Sequence, residues 1–182
     1  WQPIQTSATV EDVEPDGTDA STRRLWGRLA ALAVRDGFAT VADFAPEAAV
    51  LLPQGNYRGV VFDPVARARL REELGLGAGQ ALVLGAGYGD MRKGFDLFLQ
   101  VWRALSRQCG DVVFAWIGAI EPALLSYLGP EVAAAEASGR FLRPGFREDA
   151  ADWFSAADAF CLPSREDPFP TVVLEALAAG LP

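Results

Sequence analysis

Histidine does not occur in the sequence. Its absence removes imidazole acid–base catalysis and histidine metal ligation from the chain's own chemistry. Cysteine is scarce. Cys109 and Cys161 stand in apolar or helical contexts without the spacing of a metal site. Both read as small buried hydrophobes, and a disulfide between them is the less favoured alternative. No apolar run reaches the length a membrane helix needs, and no signal peptide is visible. Positive charge is short as well: 16 Lys and Arg face 24 Asp and Glu, a formal net charge of -8. A nucleic-acid backbone is therefore a poor partner. A local basic spot can still hold a small anion.

What is present fits a globular chain. Of the 182 residues 51% are hydrophobic, enough for one full domain or for parts of two. The first twenty residues carry Glu11, Asp12, Glu14, Asp16 and Asp19 with no Lys or Arg, and read as a loop or tail. Glu14-Pro15-Asp16 has an acid-x-acid spacing, for which a solvated turn is the favoured reading. Ser21 or Thr22 can cap a helix that presents Leu25, Trp26, Leu29, Leu32 and Ala33 on one face and runs to about Arg35. Phe38 to Phe44 and Ala48 to Leu52 are short strand candidates. Pro53 to Gly59 is a connector by composition. The chain begins at Trp1 and stops at Leu181-Pro182 just as a helix gives way, which reads as part of a longer protein.

From Asp63 an alternating pattern sets in. Asp63-Pro64 opens a helix to about Leu74. Ala81-Leu82-Val83-Leu84 is a continuous apolar strand, the mark of a sheet buried on both faces. A helix is expected from about Gly94 to Arg107, with Phe95, Phe98, Leu99, Trp102 and Leu105 inward. Val112 to Ile117 is the next strand. Pro122 to Ala137 is helical with a break near Gly129-Pro130. Arg140-Phe141-Leu142, then Glu148 to Ala156, then Ala159 to Leu162 continue as strand, helix and strand. A last helix starts near Thr171. Strands alternating with helices predict an α/β fold, a Rossmann-like parallel sheet with flanking helices. Ligands of such sheets lie beyond the carboxyl ends of the strands.

The loops at those ends carry the chemistry. Gly85-x-Gly87-x-Gly89 is not the dinucleotide fingerprint, because Asp90 stands where a small residue is required. Arg92 and Lys93 precede Gly94 at the start of a helix. Cations there oppose the helix dipole unless an anion binds, and a diphosphate suits a fork and a point charge together. A solvated basic pair is the alternative. Arg143-Pro144-Gly145-Phe146-Arg147 is a turn that either flanks a nucleotide base or is an ordinary turn. Asp167 stands before the last helix, as a ligand or as a helix-start acid. From Thr171 to Pro182 the only charged residue is Glu175. A carboxylate among Val172, Val173, Leu174, Ala176 and Leu177 needs a hydrogen-bonding partner, either a ligand hydroxyl or an Arg of a neighbouring loop.

Four stretches, in order, resemble the donor-binding domain of retaining glycosyltransferases with the GT-B fold, the large family 4 (glycosyl transferases group 1). They are AAVLLPQGNYRGVVFDP, GYGDMRKGFDLFLQVWRAL, RFLRPGFREDAADWFSAADAFCLPS and SREDPFPTVVLEALAAGLP, covering about residues 44 to 182. The resemblance implies that residues 1–50 are an acidic tail and a remnant of the N-terminal acceptor domain. Residues 51–182 would be the nucleotide-sugar-binding Rossmann-like domain, incomplete at its C-terminus. It implies catalytic roles for Lys93 and Arg92, which neutralise the departing diphosphate, and for Asp167, which contacts the donor sugar. Glu175 would hold the ribose. Gly87 belongs to the phosphate loop, Gly145 and Phe146 to the base side, and main-chain N–H groups around Phe169, Thr171 and Val172 would reach sugar or phosphate. The nucleotide sugar is then a substrate, with no cofactor and no bound metal. The acceptor stays open, and the enzyme would be cytoplasmic or peripheral to a membrane. The chain departs from the family pattern at three places: Asp167 where Glu is usual, Pro170 where Gly is usual, and Tyr88 where Arg is common. With the acceptor domain almost wholly absent, the piece is expected not to transfer sugar alone. The competing reading is a non-catalytic interaction module of the same fold.

Overall fold

The computed structural model describes residues 59–167 and 170–182. The expectations for residues 1–58 lie outside the described residues, and so does the one for Phe169. The described residues belong to the compact unit Asn56–Pro182.

Helix α1, Pro64–Glu73, starts where the sequence predicts. The Asp63 carboxylate accepts from the Val65 and Ala66 N–H groups at 2.8 and 3.2 Å, and Pro64 fills the first turn, where an N–H has no helical partner. Strand β1, Ala81–Ala86, leads through a loop to α2, Phe95–Leu105. Strand β2, Val112–Ile117, is followed by α3, Pro122–Tyr127, and α4, Gly129–Ala137. The break between α3 and α4 falls at Leu128, beside the expected Gly129-Pro130. Then come β3, Phe141–Gly145; α5, Ala150–Ala156; β4, Ala159–Phe160; and α6, Thr171–Ala178.

The sheet is parallel with strand order β3-β2-β1-β4. The chain runs outward from β1 to β3, then crosses to the far side of β1. Strand alternation divides the core into two layers. Leu82, Leu84 and Ala86 of β1 and Val113, Ala115 and Ile117 of β2 pack with Leu70, Trp153, Phe154 and Ala176 on one face. Phe114 and Trp116 point the other way, into Phe95, Phe98, Leu99, Trp102, Leu124 and Phe141. Phe98 meets Trp116 edge-on at 5.1 Å and Phe114 at 5.2 Å. Gly85 makes this possible, since a Cβ there would lie 2.6 Å from the Trp116 ring. Pro144, which has no N–H to donate, falls where the β2–β3 register shifts.

Two expectations need correction. Cys109 is exposed, not buried. Helix α2 ends at Leu105, and Cys109 lies beyond it in a turn. Cys161 is half-buried against the aromatic layer, and burial pushes its thiol pKa up. Both thiols are free. Strand β4 is also shorter than expected, although the Cys161 N–H still donates to the Leu84 carbonyl at 2.8 Å.

At the amino ends of the strands Asp158 gathers an ionic knot. Its carboxylate accepts from the Leu82 N–H at 2.8 Å, from Arg71 at 2.9 Å and from Arg67 at 2.5 Å. Arg67 also donates to the Ser155, Ala156 and Ala157 carbonyls, so α1 is tied to the end of α5. Burial pushes the Asp158 carboxyl up. The Leu82 N–H and the two guanidinium groups outweigh it and hold the carboxyl below the usual carboxylate range. A carboxyl depressed on folding contributes stability above its unfolded pKa, and that contribution is lost as pH falls through the folded one. The chain is therefore expected to lose stability below about pH 4. Asp158→Asn should cost about 2 kcal/mol at pH 7, allowing for the partial exposure of the pair, and should flatten the acid loss. Denaturant melts from pH 7 down to pH 3 measure both; equal acid slopes in the two proteins would contradict the assignment.

Candidate functional site

The candidate residues collect at the carboxyl ends of the strands. Gly87, just past β1, donates its N–H to the Ile117 carbonyl at 3.0 Å, and its own carbonyl accepts from Trp116 Nε1 at 3.1 Å. Gly118 sits directly over it, with φ 125°; a Cβ at Gly118 would come within 2.1 Å of the Gly87 oxygen. The Gly118 N–H donates to the Gly145 carbonyl at 2.8 Å. The tips of β1, β2 and β3 thus form one continuous rim, which joins Gly87 to Gly145.

Asp90, the residue that spoils the dinucleotide fingerprint, folds the loop. Its carboxylate accepts from the Lys93 N–H at 2.6 Å and its carbonyl from the Gly94 N–H at 3.0 Å. The chain then turns into α2 through Gly94, whose φ is 73°. A Cβ at Gly94 would lie 2.2 Å from the Pro163 carbonyl oxygen, so only glycine lets the two loops touch. They are stitched along that contact. The Arg165 N–H donates to the Arg92 carbonyl at 2.8 Å, and the Arg92 side chain donates to the Glu166 carbonyl at 3.2 Å. The Lys93 ammonium is paired with the Asp167 carboxylate, and both side chains are largely buried, 16% and 10% exposed. The Lys93 stem runs past Gly87, where a Cβ would be 3.9 Å from its Cδ and Cε.

The structure therefore brings Gly87, Arg92, Lys93 and Asp167 together. Arg92 is half-exposed and 3.9 Å from the nearer Asp90 oxygen. Glu175 is 2% exposed in α6, as its apolar neighbours predict. Thr171 and Val172, half-buried, open that helix, which has Pro170 at its N-cap and no capping side chain. On the base side, Phe146 is 74% exposed. The two cations around it are engaged within the chain: Arg147 grips both Asp149 oxygens at 2.8 and 2.7 Å and lies over the Trp153 ring, and Arg143 pairs with Glu136 at 3.1 Å. The Arg147 pairing holds the Asp149 carboxyl below its usual range against the opposing effect of burial.

Sequence reasoning passed over Asp96 and Arg165. Asp96 is a buried acid in the first turn of α2, and Arg165 donates to both of its oxygens at 2.8 Å. Within the stretch FDLFLQVW of α2 it is the sole charged residue, the same signal that singled out Glu175. Among the described residues no group of three or more His, Cys, Asp or Glu could hold a metal, and no helix is long and apolar enough to cross a membrane.

The chain is similar to known proteins. The family described as glycosyl transferases group 1 matches residues 80–182. A D-inositol 3-phosphate glycosyltransferase of Xylanimonas cellulosilytica is 34% identical over 122 residues, 66% of this chain and 29% of that protein. WaaG, a glycosyltransferase involved in lipopolysaccharide biosynthesis, has a solved structure that matches at 25% identity with a TM-score of 0.63, over 78% of this chain and 40% of WaaG. HepE of Anabaena, solved with UDP-glucose, has the same fold at 21% identity and a TM-score of 0.66, over 85% of this chain and 42% of HepE. The chain spans between 28% and 31% of the length of the curated relatives it matches. Its parallel sheet with flanking helices is the expected Rossmann-like α/β fold and matches that of GT-B glycosyltransferases. With the family model covering more than half of its residues, the chain belongs to the group 1 glycosyltransferases.

Proposed function

We propose that this chain is the donor-binding part of a retaining glycosyltransferase that moves a sugar from a nucleoside diphosphate sugar to an acceptor. The observation that carries the reading is the meeting of Lys93 and Arg92 with Asp167 at the start of α2, beside the helix that buries Glu175. In the reaction the bond from the anomeric carbon to the diphosphate breaks, its electron pair goes to the diphosphate, and the acceptor hydroxyl oxygen bonds the same carbon on the same face, its proton passing to the departing diphosphate. Charge grows on the leaving group. A cation fixed in advance by Asp90 and Gly94 stabilises that charge more in the transition state than in the ground state. Glu175 binds the ribose hydroxyls, Phe146 lies against the base, and the N–H groups at the start of α6 face sugar or phosphate. The UDP-glucose held by HepE supports a uridine donor as the first to try. The chain covers less than a third of its curated relatives, and by itself it binds donor without transferring sugar.

The Lys93–Asp167 pair gives the cycle a direction. An incoming diphosphate takes Lys93, and Asp167 turns to the sugar hydroxyls. Once the sugar has gone, Asp167 has no hydroxyl to bind and competes for Lys93 again, which favours release of the nucleotide.

Titration with UDP, GDP and ADP tests the reading. At least one should bind, and Lys93→Ala and Glu175→Ala should each weaken it by about ten- to a hundredfold, the usual cost of removing a partner from a charge-assisted contact. Absence of binding to all three would sink the proposal and favour an interaction module. Asp167→Asn should act the other way and tighten the free nucleoside diphosphate by about fivefold, since a carboxylate competing for Lys93 is gone. Weaker binding by Asp167→Asn would show that the carboxylate does not compete. The chain mixed with UDP-glucose and a set of acceptors should form no glycoside, as read by mass spectrometry.

A further inference from the structure

Asp96 is 9% exposed and shares its helix face with Phe95, Phe98, Leu99 and Trp102. A carboxylate in that company is costly unless paired. Its partner comes from 69 residues along the chain, where Arg165 donates to both oxygens at 2.8 Å. The same guanidinium donates to the Met91 carbonyl at 2.7 Å, and the Arg165 backbone N–H donates to the Arg92 carbonyl at 2.8 Å. One residue thus holds positions 91, 92 and 96 at once. Lys93 lies inside that span, and Asp167 is two residues beyond the strap. The guanidinium's hydrogen bonds are directed at the protein, not at the space beside Lys93. Arg165 therefore does not need the ligand to be ordered. Its fork also matches a carboxylate in a way that a lysine cannot. The pairing holds the Asp96 carboxyl below its usual range despite burial, so the strap stays ionised at neutral pH.

We infer that Arg165 and Asp96 are positioning residues: their ion pair fixes the spacing of the Asp167 loop against the phosphate loop, and through Lys93 it sets the affinity for a nucleoside diphosphate. The inference rests on Lys93 being the diphosphate cation. Misplacing a preorganised charge by about an ångström is enough to lose an order of magnitude or more.

The test uses the 182-residue chain with Arg165→Met, Arg165→Lys and Asp96→Asn, each alone and combined with Lys93→Ala. UDP binding is followed by NMR titration, which reaches millimolar dissociation constants. Amide hydrogen exchange is measured on the same proteins. Arg165→Met and Asp96→Asn are expected to weaken UDP by about tenfold with Lys93 present, and by less than about twofold in the Lys93→Ala background, the coupling of residues that act through one another. Exchange should rise in residues 90–94 and 164–167 while the amides of β1 and β2 keep their protection. Equal losses in both backgrounds would mean that Arg165 meets the ligand directly or that the whole fold is weakened, and would overturn the inference. So would unchanged affinity. Should Arg165→Met not fold, Arg165→Lys decides, since it keeps the charge and loses the fork. If the unmodified chain binds no nucleoside diphosphate, or Lys93→Ala abolishes binding altogether, the exchange pattern alone judges the strap: the first result counts against the proposed function, and local loosening without loss of sheet protection still supports the positioning of the two loops.

Discussion

Everything at the carboxyl end of this sheet depends on a contact between two backbones. Gly94 and the Pro163 carbonyl approach so closely that any side-chain carbon would collide. The loop after β1 and the loop after β4 can therefore share hydrogen bonds along their length. The left-handed turn at Gly94 is part of the same device, since it aims α2 away from the loop while leaving Lys93 at the junction. Without that approach, Lys93 and Asp167 would belong to separate loops with no fixed spacing.

The sheet order explains why those two loops are neighbours. The chain builds β1, β2 and β3 outward, then returns to place β4 on the other side of β1. The loop after β1 and the loop after β4 consequently leave adjacent strands in different directions, one feeding a helix over the aromatic layer and the other a helix over the aliphatic layer. A crevice opens at such a switch point, where an open α/β sheet takes its ligand. The rim from Gly87 through Gly118 to Gly145 runs along the other strand tips, toward the exposed Phe146.

The parts of this picture that follow local rules were legible in the sequence. Asp63-Pro64 specifies a capped helix start, Gly129-Pro130 a break, and the apolar runs at 81–86 and 112–117 doubly covered strands. The burial of Glu175 followed from its neighbours, and the family resemblance pointed to Arg92, Lys93 and Asp167. Other parts depend on distances in space that composition does not carry. Cys109 was misread because its exposure turns on where α2 stops. Lys93 and Asp167 were each assigned to a ligand, but in the fold they face one another. Asp96 and Arg165 could be seen as charges in unexpected places, yet their pairing spans 69 residues and needed the strand order to be known. Phe169 lies outside the described residues.

The ionic knot at Asp158 has a meaning for how this protein can change. It occupies the amino ends of the strands, with Arg67, Arg71 and Leu82, whereas the candidate donor contacts occupy the carboxyl ends. The two share no side chain. Substitutions at distant sites without common partners are close to additive in their effects. The fold can therefore drift in robustness at one pole while the loops at the other change, and a laboratory lineage could strengthen the first before diversifying the second.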